Sequence, residues 1–184
     1  MSDLRLRCPN PADAAGITRL IEACRPLDVN STYAYLLLCH HFAGTCVVAE
    51  QHGGIAGFLS AYVPPGRNDT LFVWQVAVSN TARGQGLASS LIEEVMSRDA
   101  GEAVRFLEAT VSPSNRASQA LLRSFARRHG TECRVSACFP QSLFGEPSAH
   151  EASAHEAEEL YRIGPLKPRR AEARPTPDGT RNDS

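Results

Sequence analysis

Gln75-Val76-Ala77-Val78-Ser79-Asn80-Thr81-Ala82-Arg83-Gly84-Gln85-Gly86-Leu87-Ala88 joins three local signals in one stretch. Residues 71–78 are an almost unbroken apolar run with the length of a buried central strand. A turn punctuated by glycines follows, and Leu87, Leu91, Ile92 and Val95 then recur at helical spacing. A buried strand therefore runs through a glycine-rich turn directly into a helix. Backbone N–H groups at a helix start have no intrahelical acceptor. Here they converge on one point where the helix dipole adds positive potential, a geometry that holds a pyrophosphate. Gly84 and Gly86 remove Cβ atoms that would keep phosphate oxygens off the backbone. Ala88 keeps the first helical turn slim, and Arg83 adds a fixed charge. The pattern is not a P-loop, because no Lys-Ser/Thr pair follows the last glycine. It is not a dinucleotide fingerprint either, because the third glycine is missing.

Upstream, residues 4–8 alternate apolar and polar as a strand does, and Pro9 and Pro11 break the run. Asp13 favours a helix start, and Ile17, Leu20, Ile21 and Cys24 follow at helical spacing until Pro26. Asn30-Ser31 offers a cap for a second helix through Tyr33, Leu36, Leu37, Leu38 and His41. Residues 45–50 are strand-like, Gln51-His52-Gly53-Gly54 reads as a hairpin turn, and residues 55–63 return as a strand. Pro64-Pro65-Gly66 begins a loop to Asp69. Downstream, residues 104–111 look like another buried strand. Ser114-Asn115 caps a helix carrying Ala117, Ala120, Leu121, Leu122 and Phe125, Gly130 stops it, and residues 132–139 read as a late strand. His155-Glu156-Ala157-Glu158-Glu159-Leu160 is a charge run whose ordinary explanation is a solvated helix face. From Pro165 the chain is rich in proline and arginine with almost no apolar anchor. Residues 165–184 are therefore expected to be a disordered tail on one domain spanning residues 1–164. The order strand, two helices, three strands, helix, strand, helix, strand puts hairpins first and helical crossovers later. That predicts an α/β fold with a mixed sheet and a ligand crevice where the pairing mode switches.

A chain of 184 residues, 42% hydrophobic and 21% charged, suits one domain with a full core. A formal net charge of -1 supplies no global field to recruit nucleic acid or an anionic membrane, so neither partner is expected. No apolar run approaches bilayer length and the N-terminal segment lacks a signal-peptide core, which points to the cytoplasm. The six cysteines match no zinc or redox spacing, and no base is evident beside any of them. Free thiols are expected, with Cys46 and Cys138 acting as small hydrophobes rather than nucleophiles. His40 and His41 are helical neighbours that point apart, and no metal site is expected.

Val76-Ala77-Val78 followed by Arg83-Gly84-Gln85-Gly86-Leu87-Ala88 resembles the acetyl-CoA motif of the GNAT superfamily of N-acetyltransferases, and the element order agrees from residue 4 to near residue 140. The resemblance implies a mixed, mainly antiparallel central sheet flanked by helices, with acetyl-CoA as co-substrate. It implies that the backbone of Val76, Ala77 and Val78 bonds the pantetheine arm. Arg83, Gly84, Gln85, Gly86, Leu87 and Ala88 would bind the pyrophosphate, and Asn115 would lie near the cofactor. Many members carry a tyrosine in the helix that here spans residues 114–130, to protonate the leaving thiolate. This chain has none there, which leaves Ser118, a water or Tyr33.

Leu27-Asp28-Val29-Asn30-Ser31, Tyr33-Ala34-Tyr35-Leu36-Leu37-Leu38-Cys39, Thr45-Cys46-Val47-Val48-Ala49-Glu50 and residues 69–78 resemble a narrower group, the L-2,4-diaminobutyrate acetyltransferases of ectoine biosynthesis. That resemblance implies acetylation of the 4-amino group of L-2,4-diaminobutyrate, a role in osmoprotection and a homodimer. Such a substrate carries two amines and one carboxylate, so its site needs acceptors for an ammonium and a donor for the carboxylate. Asp28 in the break between two helices, Glu108 on the strand flanking the cofactor strand, and Glu158 are the acidic candidates. Trp74 stands beside the acyl-transfer centre, as substrate wall or as core, and Tyr33 bonds substrate or closes the core. The resemblance also suggests a C-terminal substrate contact by His155 and Glu158, delivered across a dimer interface. The expected chemistry is direct attack by the amine, with Glu108 or Asp28 taking a proton directly or through water. An N–H of the Val76–Val78 strand would stabilise the oxyanion. The same cradle would also serve an enzyme acetylating a different small amine or a protein N-terminus, or an acyl-CoA-binding regulator without turnover.

Overall fold

The computed structural model describes residues 4–24, 27–145 and 155–167. The seven strands are β1 (Arg5–Arg7), β2 (Val47–Gln51), β3 (Gly54–Tyr62), β4 (Thr70–Val78), β5 (Phe106–Val111), β6 (Cys133–Phe139) and β7 (Glu158–Ile163). They form one sheet in the order β1-β2-β3-β4-β5-β7-β6. Every pairing is antiparallel except β4 with β5, which is parallel. Alternate residues of each strand face opposite sides, and both sides are covered. On one side α1 (Ala14–Glu22) and α2 (Thr32–His41) bury Ile17, Leu20, Ile21, Tyr35 and Leu38 against Val48, Phe58 and Ala77. On the other, α3 (Leu87–Met96) and α4 (Arg116–Arg128) bury Leu87, Leu91, Ile92, Val95, Leu122 and Phe125 against Val47, Leu59, Leu71, Leu107 and Tyr161. Val47 and Val48 feed different cores because they are adjacent on one strand.

The functional geometry comes from where pairing stops. β4 meets β5 only at Thr70–Phe106, Leu71–Leu107 and Phe72–Glu108. From Leu107 to Val111, β5 is held on its other edge by β7. Between Val73 and Val78, β4 therefore keeps β3 on one edge and loses its neighbour on the other, and a cleft opens at the expected change of pairing mode. A bulge aims the lip of this cleft: Ser60 opposes Gln75 and Ala61 opposes Val73, so Trp74 is the extra residue. The Gln75 N–H donates to Ser60 Oγ at 3.1 Å.

Three expectations need correction. Residues 158–163 are a strand, not a helix face. Tyr161 and Ile163 alternate inward and are fully buried, and the strand inserts between β5 and β6. Pro165 and Leu166, expected in the tail, belong to the packed domain. Leu166 is buried, its N–H donates to the Arg105 carbonyl at 2.7 Å, and Arg105 Nε returns a bond to the Leu166 carbonyl. The remainder of the expected tail, residues 168–184, lies outside the described residues. In α2 the residues turned inward are Tyr35, Leu38 and Cys39, whereas Tyr33 is 67% exposed.

Candidate active site

The turn after β4 has the form its sequence implied. Gly84 and Gly86 adopt positive φ of 76° and 78°, and a Cβ at either would meet nothing within 4 Å, so that face of the backbone is open. Gly86 is the N-cap of α3 in left-handed geometry. From Gly84 to Ala88 the backbone N–H groups have no backbone acceptor among the described residues. Arg83 is exposed, with its Nε on the Val78 carbonyl at 3.1 Å, which holds the guanidinium over the end of β4. The residues present fit a diphosphate.

Next to this cradle, the gap between β4 and β5 is lined by Val76, Thr110, Asn115, Ser118 and Leu122, among others. Asn115 caps α4, its Oδ1 accepting from the Ser118 N–H at 3.0 Å. The Asn115 carbonyl oxygen is thus committed to the helix, and its amide N–H groups are the part left for a ligand. Leu27 and Gln75 close the gap from the α1–α2 side. Gln75 ties that side together, donating to the Asp28 carbonyl at 2.8 Å while the Tyr35 hydroxyl lies 3.3 Å from its Oε1. The Tyr35 oxygen also accepts from the Asn30 N–H at 3.2 Å. Tyr35 is thus the tyrosine bonded to the gap-lining Gln75, while Tyr33, one of the expected site residues, is exposed and lines neither the gap nor the cavity.

Beyond Trp74 and Thr110, the gap meets a larger cavity of about 520 Å³. Tyr62, Pro64, Phe72, Phe139 and Leu160 give it apolar walls, and Arg67 and Glu108 give it charge. Glu108 is buried, at 2% exposure, and both its oxygens are taken. Arg67 donates in parallel, Nη1 to Oε1 at 3.1 Å and Nη2 to Oε2 at 2.6 Å, and Arg162 on β7 donates from its Nη1. Burial pushes the Glu108 carboxyl up, but the hydrogen bonds from Arg67 and Arg162 outweigh it and hold the group below the usual carboxylate range. A proton acceptor poised for catalysis needs the opposite shift. The expectation that Glu108 serves as the base is therefore corrected: it is an anchor for arginines.

Asp28, His155 and Glu158, which lie far apart in sequence, are brought together. His155 Nε2 stands 3.4 Å from the Asp28 carboxylate, and the Phe144 ring stacks on the imidazole at a centroid distance of 3.9 Å. His155 is raised by its bond to the Glu156 carbonyl and by Asp28, against desolvation. Glu158 is raised mainly by desolvation, with His155 and a hydrogen bond from the Thr110 side chain opposing. Glu156 anchors the same segment by accepting from the Ser114 N–H at 3.0 Å. Asp28 itself is exposed and lines neither the gap nor the cavity. Arg67, Gln75, Tyr35 and Thr110 escaped the sequence reading. Arg67 follows Pro64-Pro65-Gly66, which reads only as a turn. Burial pushes the thiols of Cys39 and Cys46 up to about 12 and about 11, away from the activated range. Among the described residues, no cluster of His, Cys, Asp and Glu is arranged to hold a metal ion. No helix among them is long and apolar enough to cross a membrane.

A splayed pair of parallel strands with an anion cradle at one end and a cavity at the other defines an acyl-CoA-dependent acetyltransferase, and the model of the acetyltransferase (GNAT) family matches residues 15–126. The chain belongs to that family and, within it, to the L-2,4-diaminobutyric acid acetyltransferases. It is 46% identical over 160 residues to the enzyme of that name from Halalkalibacterium halodurans, covering 87% of this chain and 81% of the relative. To the one from Halomonas elongata it is 44% identical over 167 residues, covering 90% and 83%. Among solved structures it is similar to the diaminobutyrate acetyltransferase of Paenibacillus lautus in complex with its substrate L-2,4-diaminobutyric acid and coenzyme A. The TM-score is 0.84 at 38% identity, covering 90% of this chain and 96% of that one.

Proposed function

We propose that this chain transfers the acetyl group of acetyl-CoA to the 4-amino group of L-2,4-diaminobutyrate, giving N4-acetyl-L-2,4-diaminobutyrate for ectoine synthesis. The observation that carries this reading is the junction at Trp74 and Thr110, which line both the gap beside the free edge of β4 and the larger cavity beyond it. It is supported by the relative whose structure holds that amino acid and coenzyme A. Acetyl-CoA supplies the activated acyl group. The amides of Gly84 to Ala88, with Arg83, hold its diphosphate, and Val76 to Val78 line the pantetheine arm with the strand edge that β5 leaves free. Trp74 walls the amino acid, and the bulge at Trp74 turns β4 N–H groups toward the thioester oxygen. Asp28 and Glu158 attract the substrate ammonium groups, and Glu158, its acidity weakened by burial, takes the proton from the attacking amine, directly or through water. Ser118, in the gap, donates toward the leaving sulfur. No cysteine is suited to carry an acetyl group, so the amine attacks directly. The setting is osmoprotection in the cytoplasm, by a homodimer.

Mass spectrometry of the product from acetyl-CoA and diaminobutyrate tests the assignment. A single acetylated species whose fragments place the acetyl group on N4 is expected. Acetylation at the 2-amino group, or coenzyme A binding without thiol release, overturns it. A protein N-terminus as acceptor predicts turnover of peptides, and a peptide panel assayed beside diaminobutyrate should show none.

A further inference from the structure

The charges around the cavity do not balance: one carboxylate, Glu108, is shared by two guanidiniums, Arg67 and Arg162. Arg162 is otherwise engaged, its guanidinium lying 3.9 Å over the Phe106 ring. Arg67 is different. It sits in the β3–β4 loop, lines the cavity and is 45% exposed, and only two of its N–H donors are spent on Glu108. A fork held flat by a buried carboxylate, beside the apolar rings of Tyr62, Phe72 and Trp74, keeps its remaining donors in a fixed direction. Burying Glu108 for stability alone would be a poor use of a carboxylate, because desolvation offsets most of the attraction. Orienting an arginine toward a ligand accounts for the arrangement.

We infer that Arg67, positioned by Glu108, receives the α-carboxylate of the amino-acid substrate and so selects an amino acid over a simple diamine. The inference rests on the function proposed above. It accounts for the missing complement of the site: Asp28 and Glu158 serve ammonium groups, and neither can bind a carboxylate. With the carboxylate at Arg67, the 4-amino group reaches back past Trp74 and Thr110, the residues shared by cavity and gap.

The test compares L-2,4-diaminobutyrate with 1,3-diaminopropane, which has the same spacing of amines and no carboxylate, as substrates or, where turnover is slow, as competing ligands. Wild type should prefer diaminobutyrate by about 100-fold in kcat/KM, the effect of one charge-assisted bidentate contact. In Arg67→Gln that preference should collapse through the KM for diaminobutyrate, with the KM for acetyl-CoA unchanged. Arg67→Met serves as the second variant, and thermal melting identifies whichever of the two folds. A variant that weakens both amines equally makes Arg67 a general wall residue and overturns the inference, as does one that keeps the preference. Wild type acetylating diaminobutyrate without preferring it overturns the inference with no variant needed. Wild type ignoring diaminobutyrate altogether removes the substrate reading as well, which tells the two failures apart.

Discussion

Glu108 and Glu158 stand on adjacent strands, and their surroundings send them to opposite tasks. Two guanidiniums stabilise the ionised form of Glu108, while burial without a full complement of donors destabilises that of Glu158. Glu158→Gln should therefore lower kcat/KM by about 100-fold. In wild type, activity should fall as the pH drops through the raised Glu158 value and the base becomes protonated, and the variant should lose that limb. A pH–rate profile decides it, and an unchanged acidic limb in Glu158→Gln removes Glu158 from the role. Glu108 titrates in stability instead. Its folded value lies below its unfolded one, so its contribution is complete above the ordinary carboxylate range and is lost as the pH falls through the depressed value. Glu108→Gln should cost about 2 kcal/mol at neutral pH, allowing for half-exposed arginines, and should flatten the acid side of the melting-temperature curve. Equal acid sensitivity in both proteins would contradict this.

At the scale of elements, the cradle depends on glycine for conformation and for space. Gly86→Asp places a side chain at φ 78° and a negative charge where a diphosphate binds. It should cost about 1 kcal/mol in folding and raise the KM for acetyl-CoA about 100-fold or more, leaving α3 intact by circular dichroism. An unchanged KM would move the diphosphate elsewhere. This element was legible in the sequence because strand, glycine turn and helix each follow from adjacent residues. So were α1, with Ile17, Leu20 and Ile21 inward, and the Asn115 cap of α4. What the sequence could not disclose was set by distant partners. β7 was obscured because its inward residues, Tyr161 and Ile163, begin just where the charge run ends, and its neighbours β5 and β6 are both distant in the chain. The inward face of α2 fell on Tyr35 rather than Tyr33 because the apolar residues of that helix occur on every side, so that only Gln75 and Phe58 across the interface decide its rotation.

For the whole molecule, the site is closed by the two ends of the fold. The α1–α2 loop is pinned to β4 through Gln75, and the C-terminal strand completes the other wall with Leu160 and the Arg162 contact to Glu108. β7 also separates β5 from β6, so neither of those strands pairs with the other. Local order after β7 should therefore reach the chemistry through β5. Leu166 fixes the end of this strand: it is buried, it exchanges backbone and side-chain bonds with Arg105 just before β5, and the Pro165 carbonyl accepts from Thr131 just before β6. Chains ending at Lys167 and at Ile163 differ in these contacts and in the Gly164 N–H, which donates to the Glu132 carbonyl at 3.2 Å. The shorter should melt lower, by several degrees for a loss of about 2 kcal/mol from one buried leucine and its hydrogen bonds. Its KM for diaminobutyrate should also rise, because Arg162 and Glu108 lose their fixed register, while its KM for acetyl-CoA, set on the far side of β4, should stay. Equal melting of the two chains would place the end of the cooperative unit at β7 itself, and a shift confined to acetyl-CoA would mean that β7 is coupled to the cradle rather than to the cavity.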